Sequence, residues 1–242
     1  MKKNNILDGK NCVLTGATGG IGKQIAFELA SKNCNLFLIG QNTKKLKSLK
    51  QKLEKINTKI NVNFNSTDLT NIEDIKTTIK KIKNEFSPVL ILINCAGKFI
   101  IKSIEKSTLD DFDTLFSINV KAPFILTKAF TKDMKNKKWG RIVNIGSSSS
   151  YNGFSGGTIY SATKHSILGF SRSLQFELKE KNIRVQCFSP SSTQTEMGKI
   201  SKEQDFSTFL DPKEVAKYVV FSMTFDSEMC IDEVKMNRMI MK

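Results

Sequence analysis

Short, β-like, largely apolar runs alternate along the chain with longer stretches in which apolar residues recur every three or four positions. Runs of the first kind fall at 12–15, 35–39, 60–64, 89–93, 141–145 and 183–188, with a weaker one at 233–237. Their brevity and their Val, Ile, Leu and Phe content suit strands buried on both faces. Helical spacing covers 21–32, 43–56, 71–86, 109–135, 159–180 and 211–225. Asp211 followed by Pro212 supplies the last of these with a cap and a first-turn proline. Strand and helix alternate throughout, which predicts an α/β fold: a doubly wound, mostly parallel sheet of about seven strands with helices on both faces. No repeat, low-complexity tract or linker interrupts the pattern, so residues 1–242 read as one domain.

Hydrophobic residues make up 39% of the chain, enough for a substantial core. No apolar run approaches the roughly 20 residues of a membrane span. The basic start Met1-Lys2-Lys3-Asn4-Asn5 runs towards a strand, not into the apolar core of a signal peptide. A cytoplasmic protein without membrane association is expected. The cysteines, Cys12, Cys34, Cys95, Cys187 and Cys230, are odd in number and lack metal-type spacing. They predict free thiols, not a disulfide framework or a zinc site.

The formal net charge of +15 raises nucleic acid as a partner. Arginine, however, occurs only at 141, 172, 184 and 238, and bidentate reading of bases favours Arg over Lys. The lysines are spread over 44–59, 76–83 and 128–138 in place of one stripe. A solvated lysine surface is the expectation, with no nucleic-acid partner; attraction to an acidic partner or an anionic cofactor stays open.

The candidate chemistry begins with Tyr160 and Lys164. Four residues is just over one helical turn, so a helix places the phenol and the ammonium on one face. A cation beside a phenol favours the phenolate and so eases proton transfer. A hydroxyl from Ser147, thirteen residues upstream, brought alongside could polarise a carbonyl oxygen. Such a set is what hydride chemistry at C=O asks of a protein. The bland alternative is a surface lysine one turn from a half-buried tyrosine, since roughly 0.4 such pairs are expected by chance in a chain this rich in Lys.

A second signal is the turn Thr15-Gly16-Ala17-Thr18-Gly19-Gly20-Ile21-Gly22, with a strand before it and a helix after. Glycines there permit a tight turn and close backbone approach, and the helix N-terminus offers amides and dipole to a pyrophosphate. The sheet is then of Rossmann type. At the end of the second strand an acidic residue would bond ribose hydroxyls and repel a 2′-phosphate. The chain instead has Ile39-Gly40-Gln41-Asn42-Thr43-Lys44-Lys45, with no carboxylate, which favours NADP(H) over NAD(H), with Gln41 at the deciding position. Lys44 or Lys45 could supply charge, and solvated helix-surface lysines are the other reading of both.

Taken together, the 15–22 turn, Asn94-Cys95-Ala96-Gly97, Asn119, Ser147, Tyr160 and Lys164 resemble the short-chain dehydrogenase/reductase family, in its order and near its spacings over residues 6–225. The resemblance implies that Gly16, Gly20 and Gly22, with Thr15, Thr18 and Ile21, line the pyrophosphate. It implies that Asp68 bonds the adenine amino group; a helix N-cap is the other reading of that residue. Asn94, Ala96 and Gly97 would support the adenosine ribose. Thr195, in the segment opened by Pro190, would contact the nicotinamide carboxamide or the phosphates. Ser191 stands where the family usually has Gly, which asks whether φ there is positive. Tyr160 would act as general acid or base, Lys164 would assist it and bond the nicotinamide ribose, Ser147 would orient the substrate oxygen, and Asn119 would hold a water leading to Lys164. Asn119 falls inside the 109–135 helix pattern, where Asn is a poor helix former, so a local departure from regular geometry is expected. His165 would point to another face.

Within the family the pattern is similar to the 3-oxoacyl-acyl-carrier-protein reductases, which implies a 3-oxoacyl thioester as substrate and Lys138 and Lys181 as docking points for an acidic acyl carrier protein. The short 197–211 segment and the ending Glu233-Val234-Lys235-Met236-Asn237-Arg238 differ from that group. They keep open a dehydrogenase of a small hydroxy acid, polyol or other alcohol; a non-catalytic cofactor-binding scaffold is a third reading. The apolar residues Met197, Ile200, Phe206, Phe209 and Leu210 suit either an apolar substrate face or packing on the last helices. The resemblance also implies a homodimer or homotetramer paired through 109–135 and 159–180.

Overall fold

The computed structural model describes residues 5–201 and 203–239; the basic start, Met1 to Asn4, lies outside them. All seven apolar runs form strands: β1 (Asn11–Thr15), β2 (Asn35–Gly40), β3 (Val62–Ser66), β4 (Ile91–Asn94), β5 (Gly140–Ile145), β6 (Ile183–Pro190) and β7 (Glu233–Met236). They make one sheet of order β3-β2-β1-β4-β5-β6-β7, and every pairing is parallel. Helix-bearing crossovers separate β1 to β6, as parallel pairing requires. The β3 strand starts two residues later than the apolar pattern predicts, because Ile60 is buried without belonging to the strand.

The helices are α1 (Gly20–Ser31), α2 (Thr43–Ile56), α3 (Ile72–Glu85), α4 (Leu109–Phe116), α5 (Ala122–Lys137), α6 (Thr158–Leu178) and α7 (Pro212–Ser222). Strand side chains alternate between two cores. Cys12, Leu14, Leu36, Leu38, Ile91 and Ile93 pack with α1, α2 and α7. Val13, Phe37, Ile39 and Leu92 pack with α3, α5 and α6 on the other face. The single helix expected over 109–135 is interrupted: Ser117–Lys121 is a π-helical segment between α4 and α5. Asn119 lies in it, so the expected departure from regular geometry occurs at that residue.

Arg141, at the start of β5, is fully buried. Its guanidinium donates to the carbonyls of Met223, Gly140 and Phe225 and to the Asp226 carboxylate at 2.7 Å, and it stacks on Trp139. It thereby pins the segment after α7 against the lower end of the sheet. At the opposite end, the order in which strands are added reverses between β1 and β4, which pair in parallel and have β2 and β5 as their outer neighbours. A crevice outside the carboxyl ends of the strands at such a switch point is where open α/β sheets bind ligands.

Candidate active site

The π-helical segment carries Asn119, whose side chain bonds three polar groups at once. Its Nδ2 donates to the Lys98 carbonyl and to Thr163 Oγ1, both at 3.0 Å, and its Oδ1 accepts from the Lys98 amide at 2.8 Å. Asn119 therefore fixes the segment that leaves β4 and ties it to α6. Thr163 in turn donates to the Tyr160 carbonyl at 2.7 Å. Lys164 is buried one turn after Tyr160, which is buried as well. The Lys164 ammonium lies 5.7 Å from the Tyr160 ring centre and donates to the Ile145 carbonyl at the end of β5 at 2.9 Å. A Cβ placed on Gly97 would stand 3.5 Å from Asn119 Oδ1 and 3.8 Å from Lys164 Nζ. The two polar atoms thus face the same small space.

Ser147 stands two residues beyond β5, at the start of a 3₁₀ turn of Ser148–Ser150 against which α6 packs. Its Oγ accepts from the Ser149 amide at 3.1 Å, and its own amide donates to Ser150 Oγ at 3.2 Å. Ser149 and Ser150 are buried turn residues. A serine hydroxyl already accepting from a backbone N–H keeps its own hydrogen for another acceptor, such as a substrate oxygen. The ring of His165 lies 2.9 Å from the Ser161 carbonyl of its own helix, away from this set.

The dinucleotide end is built from the Gly-rich turn. Thr15 Oγ1 accepts from the Cys95 and Ala96 amides at 3.0 and 3.1 Å and so joins β1 to β4 across the switch point. Gly16 has φ +65° and lies directly against the Ala96 backbone. The N-terminus of α1 carries no side-chain cap and no acid in its first turn, whereas α3 has the Asn71 cap followed by Glu73 and Asp74. The amides and positive dipole end of α1 are left for an anion. Ile21 packs on the core beneath. The Thr195 methyl stands where a Cβ of Gly20 would be, so the segment opened by Pro190 lies across the turn. Ser191 adopts an ordinary backbone: positive φ among the described non-glycine residues occurs at Asn33, Lys138 and Asn182. Glycine is not needed there.

Towards the adenosine side, Thr18 Oγ1 lies near Gly40, and the Gln41 carbonyl accepts from Ser66 Oγ at 2.7 Å. The Gln41 side chain is exposed, as are Lys44 and Lys45 in the first turn of α2. Asp68 is exposed too; it accepts from the amide and hydroxyl of Thr70, and α3 is capped by Asn71 instead. The N-cap reading of Asp68 is thus corrected, because the chain takes one further turn before the helix begins. The Asn94 Nδ2 donates inside the sheet to Asn144, which donates to Ser171 of α6, while the buried Asn94 Oδ1 has no hydrogen-bond partner among the described residues. Burial pushes the Cys95 thiol, and that of Cys34, up to about 12, so neither offers a thiolate at neutral pH.

Sequence reasoning missed Phe99 and Phe154, whose rings flank Tyr160 at centroid distances of 4.6 and 6.5 Å. Neither belongs to an element with a period. It also missed Thr163 and the Ile145 carbonyl, the partners of Asn119 and Lys164. Thr163 was legible in hindsight, since it stands one residue from Lys164 on the same helix.

A doubly wound parallel sheet, an uncapped helix after a Gly-rich turn at the switch point, and a Tyr-Lys pair beside it define a nicotinamide-dinucleotide oxidoreductase. Residues 10–205 match the family described as short chain dehydrogenase, and the chain belongs to that family. An uncharacterised oxidoreductase of Staphylococcus aureus strain MW2 is 29% identical over 229 residues, 95% of this chain and 97% of that protein. One from Staphylococcus saprophyticus is 28% identical over 230 residues, 94% and 97% of the two chains. Among solved structures, a metagenomic short-chain oxidoreductase in complex with NADP has a TM-score of 0.84 at 25% identity, over 97% of this chain and 99% of that one. A short-chain dehydrogenase from Sphingobium yanoikuyae in complex with NADPH has a TM-score of 0.83 at 26% identity, over 93% and 87%. The protein is an NAD(P)-dependent oxidoreductase. Among the described residues no helix is long and apolar enough to cross a membrane.

Proposed function

We propose that the protein, acting as one dinucleotide-binding unit, reduces a carbonyl compound to an alcohol with NADPH. The observation that carries this reading is the convergence of Asn119 and Lys164 on Gly97, one turn from Tyr160 and beside the Ser147 turn. When bound, the cofactor supplies the hydride. Tyr160 donates the proton to the substrate oxygen, with Ser147 Oγ donating a hydrogen bond to the same oxygen and stabilising its developing charge. Lys164, held by the Ile145 carbonyl, stands one turn from the phenol, assists it and reaches towards the nicotinamide ribose. Asn119 positions the segment beyond β4 and would hold a water that leads protons to Lys164. Gly16, Gly20 and Gly22, with Thr15, Thr18 and Ile21, shape the pyrophosphate site; Asn94, Ala96 and Gly97, Pro190 and Thr195, and Asp68 border the rest.

NADP(H) is favoured over NAD(H) by α2. A helix N-terminus prefers anions, yet α2 has Lys44 and Lys45 there and no acid in its first turn. Each such cation costs roughly 0.3–1 kcal/mol against the helix dipole, which a 2′-phosphate beside Gln41 would offset. The metagenomic and Sphingobium relatives hold NADP and NADPH respectively.

The first substrate class to test is a 3-oxoacyl thioester, with a small hydroxy acid or polyol as the second. Lys138 and Lys181 precede β5 and β6, at the end of the sheet opposite Ser147 and Tyr160. A carrier protein docked on them would have to serve the site of another copy, within the proposed homodimer or homotetramer. The buried thiols suit a reducing compartment such as the cytoplasm. The deciding experiment is NADPH oxidation with acetoacetyl-CoA and with a panel of small ketones and alcohols, wild type against Tyr160→Phe. Turnover lost in a variant that still binds NADPH supports the mechanism. Turnover retained in that variant overturns it.

A further inference from the structure

The rings around Tyr160 carry a consequence for the substrate. Phe99 meets Tyr160 edge to face, with centroids 4.6 Å apart and planes at 66°. Phe154 lies 6.0 Å from Phe99 and 6.5 Å from Tyr160, and is 40% exposed. An exposed aromatic ring on a loop is ordinarily free to move, but this one is seated. A Cβ on Gly157 would lie 2.2 Å from Phe154 Cζ, so only glycine there lets the ring rest on the start of α6. The Lys102 amide donates to the Gly156 carbonyl at 2.9 Å, and the Ile101 side chain covers Gly156, which has φ +74°. Two loops distant in sequence are thus locked together, one presenting Phe99 and the other Phe154. Met197, 38% exposed, brings its methyl group within 4.0 Å of the Cβ position of Gly97 and extends the apolar border to the cofactor side. The ammonium of Lys102 is committed to the Asp111 carboxylate at 2.6 Å.

We propose that Phe99 and Phe154 form an aromatic wall that selects carbonyl compounds carrying an aryl group on the carbonyl carbon. This rests on the reading of Tyr160 as proton donor, since the wall matters only if the reacting oxygen is brought to that phenol. Phe99 and Phe154 already meet each other and Tyr160 at tilted or edge-to-face angles, and an aryl substituent extends that arrangement. A methyl group in the same place leaves the Phe154 ring facing water.

The test uses a matched pair of 3-oxoesters, ethyl benzoylacetate and ethyl acetoacetate, which differ only in phenyl against methyl on the ketone carbon. NADPH oxidation is followed for the wild type, Phe154→Ala and Phe99→Leu, each shown by thermal melting and NADPH binding to be folded, with Tyr160→Phe as control. The expected result is a kcat/KM ratio of phenyl to methyl ester of about tenfold or more in the wild type, falling several-fold in both wall variants. A wild-type ratio near one or below, or a ratio unchanged in both variants, overturns the wall and leaves the carbonyl-reductase reading in place. No turnover of either ester by NADPH-bound wild type, or turnover surviving in Tyr160→Phe, overturns that reading and the wall with it.

Discussion

Gly22 shows how much a single missing Cβ decides, because one placed there would stand 2.2 Å from the Gly16 carbonyl oxygen. Backbone cannot move aside as a side chain can. Gly22→Ala is therefore expected to cost about 1–3 kcal/mol through overpacking and to weaken NADPH binding, as thermal melts and a fluorescence titration would show. That glycine was legible in the sequence, since its partner lies six positions away in one motif. Gly157 was not, because the ring it accommodates is defined only by the folded loop. Arg141 makes the same point for charge. Composition marked it as one of few arginines, yet its burial depends on carbonyls more than 80 residues downstream. Arg141→Met leaves the Met223 and Phe225 carbonyls without donors and Asp226 without its ion pair. The expected loss is about 2–4 kcal/mol, measured by denaturant unfolding, with the site chemistry intact in the folded fraction.

Among the elements, α4 has the most testable start. Thr108 and Asp111 form a reciprocal capping box, and Asp111 also pairs with Lys102 on the loop that carries Phe99. The Lys102 ammonium, helped by the Thr108 amide and hydroxyl, holds the Asp111 carboxyl below its usual range. A depressed folded-state pKa contributes stability that is present above the unfolded value and is lost as pH falls through the folded one. Asp111→Asn should then be less stable than wild type at neutral pH, with the gap closing as the solution is acidified below the ordinary carboxylate range. A gap that widened on acidification would contradict this. The strands were readable because most are short apolar runs, and β1, β2, β4, β5 and β6 send alternate residues to two cores. The break within 109–135 was only half readable. Asn119 signalled irregularity, but the form it took depends on Lys98 and Thr163, which no periodicity connects.

For the molecule as a whole, a net charge of +15 means that folding gathers like charges into one volume. Salt screens that repulsion over about 8–10 Å at physiological strength, so Tm should rise by a few degrees between low and moderate salt; a fall would show that attractive pairs dominate. The strand order has a further consequence. Everything to one side of β1 comes from the chain before residue 67, and everything from β4 onward from the chain after residue 90. The two halves meet along one seam, joined covalently through α3 and the short connection that follows it. The residues proposed to choose between the two dinucleotides, Gln41, Lys44 and Lys45, lie wholly in the first half. Those proposed to meet the carbonyl compound, Phe99, Ser147, Phe154 and Tyr160, lie wholly in the second. On that assignment, recombination within 86–90 would exchange one preference between relatives and leave the other, so that the two choices could evolve as separately inherited traits.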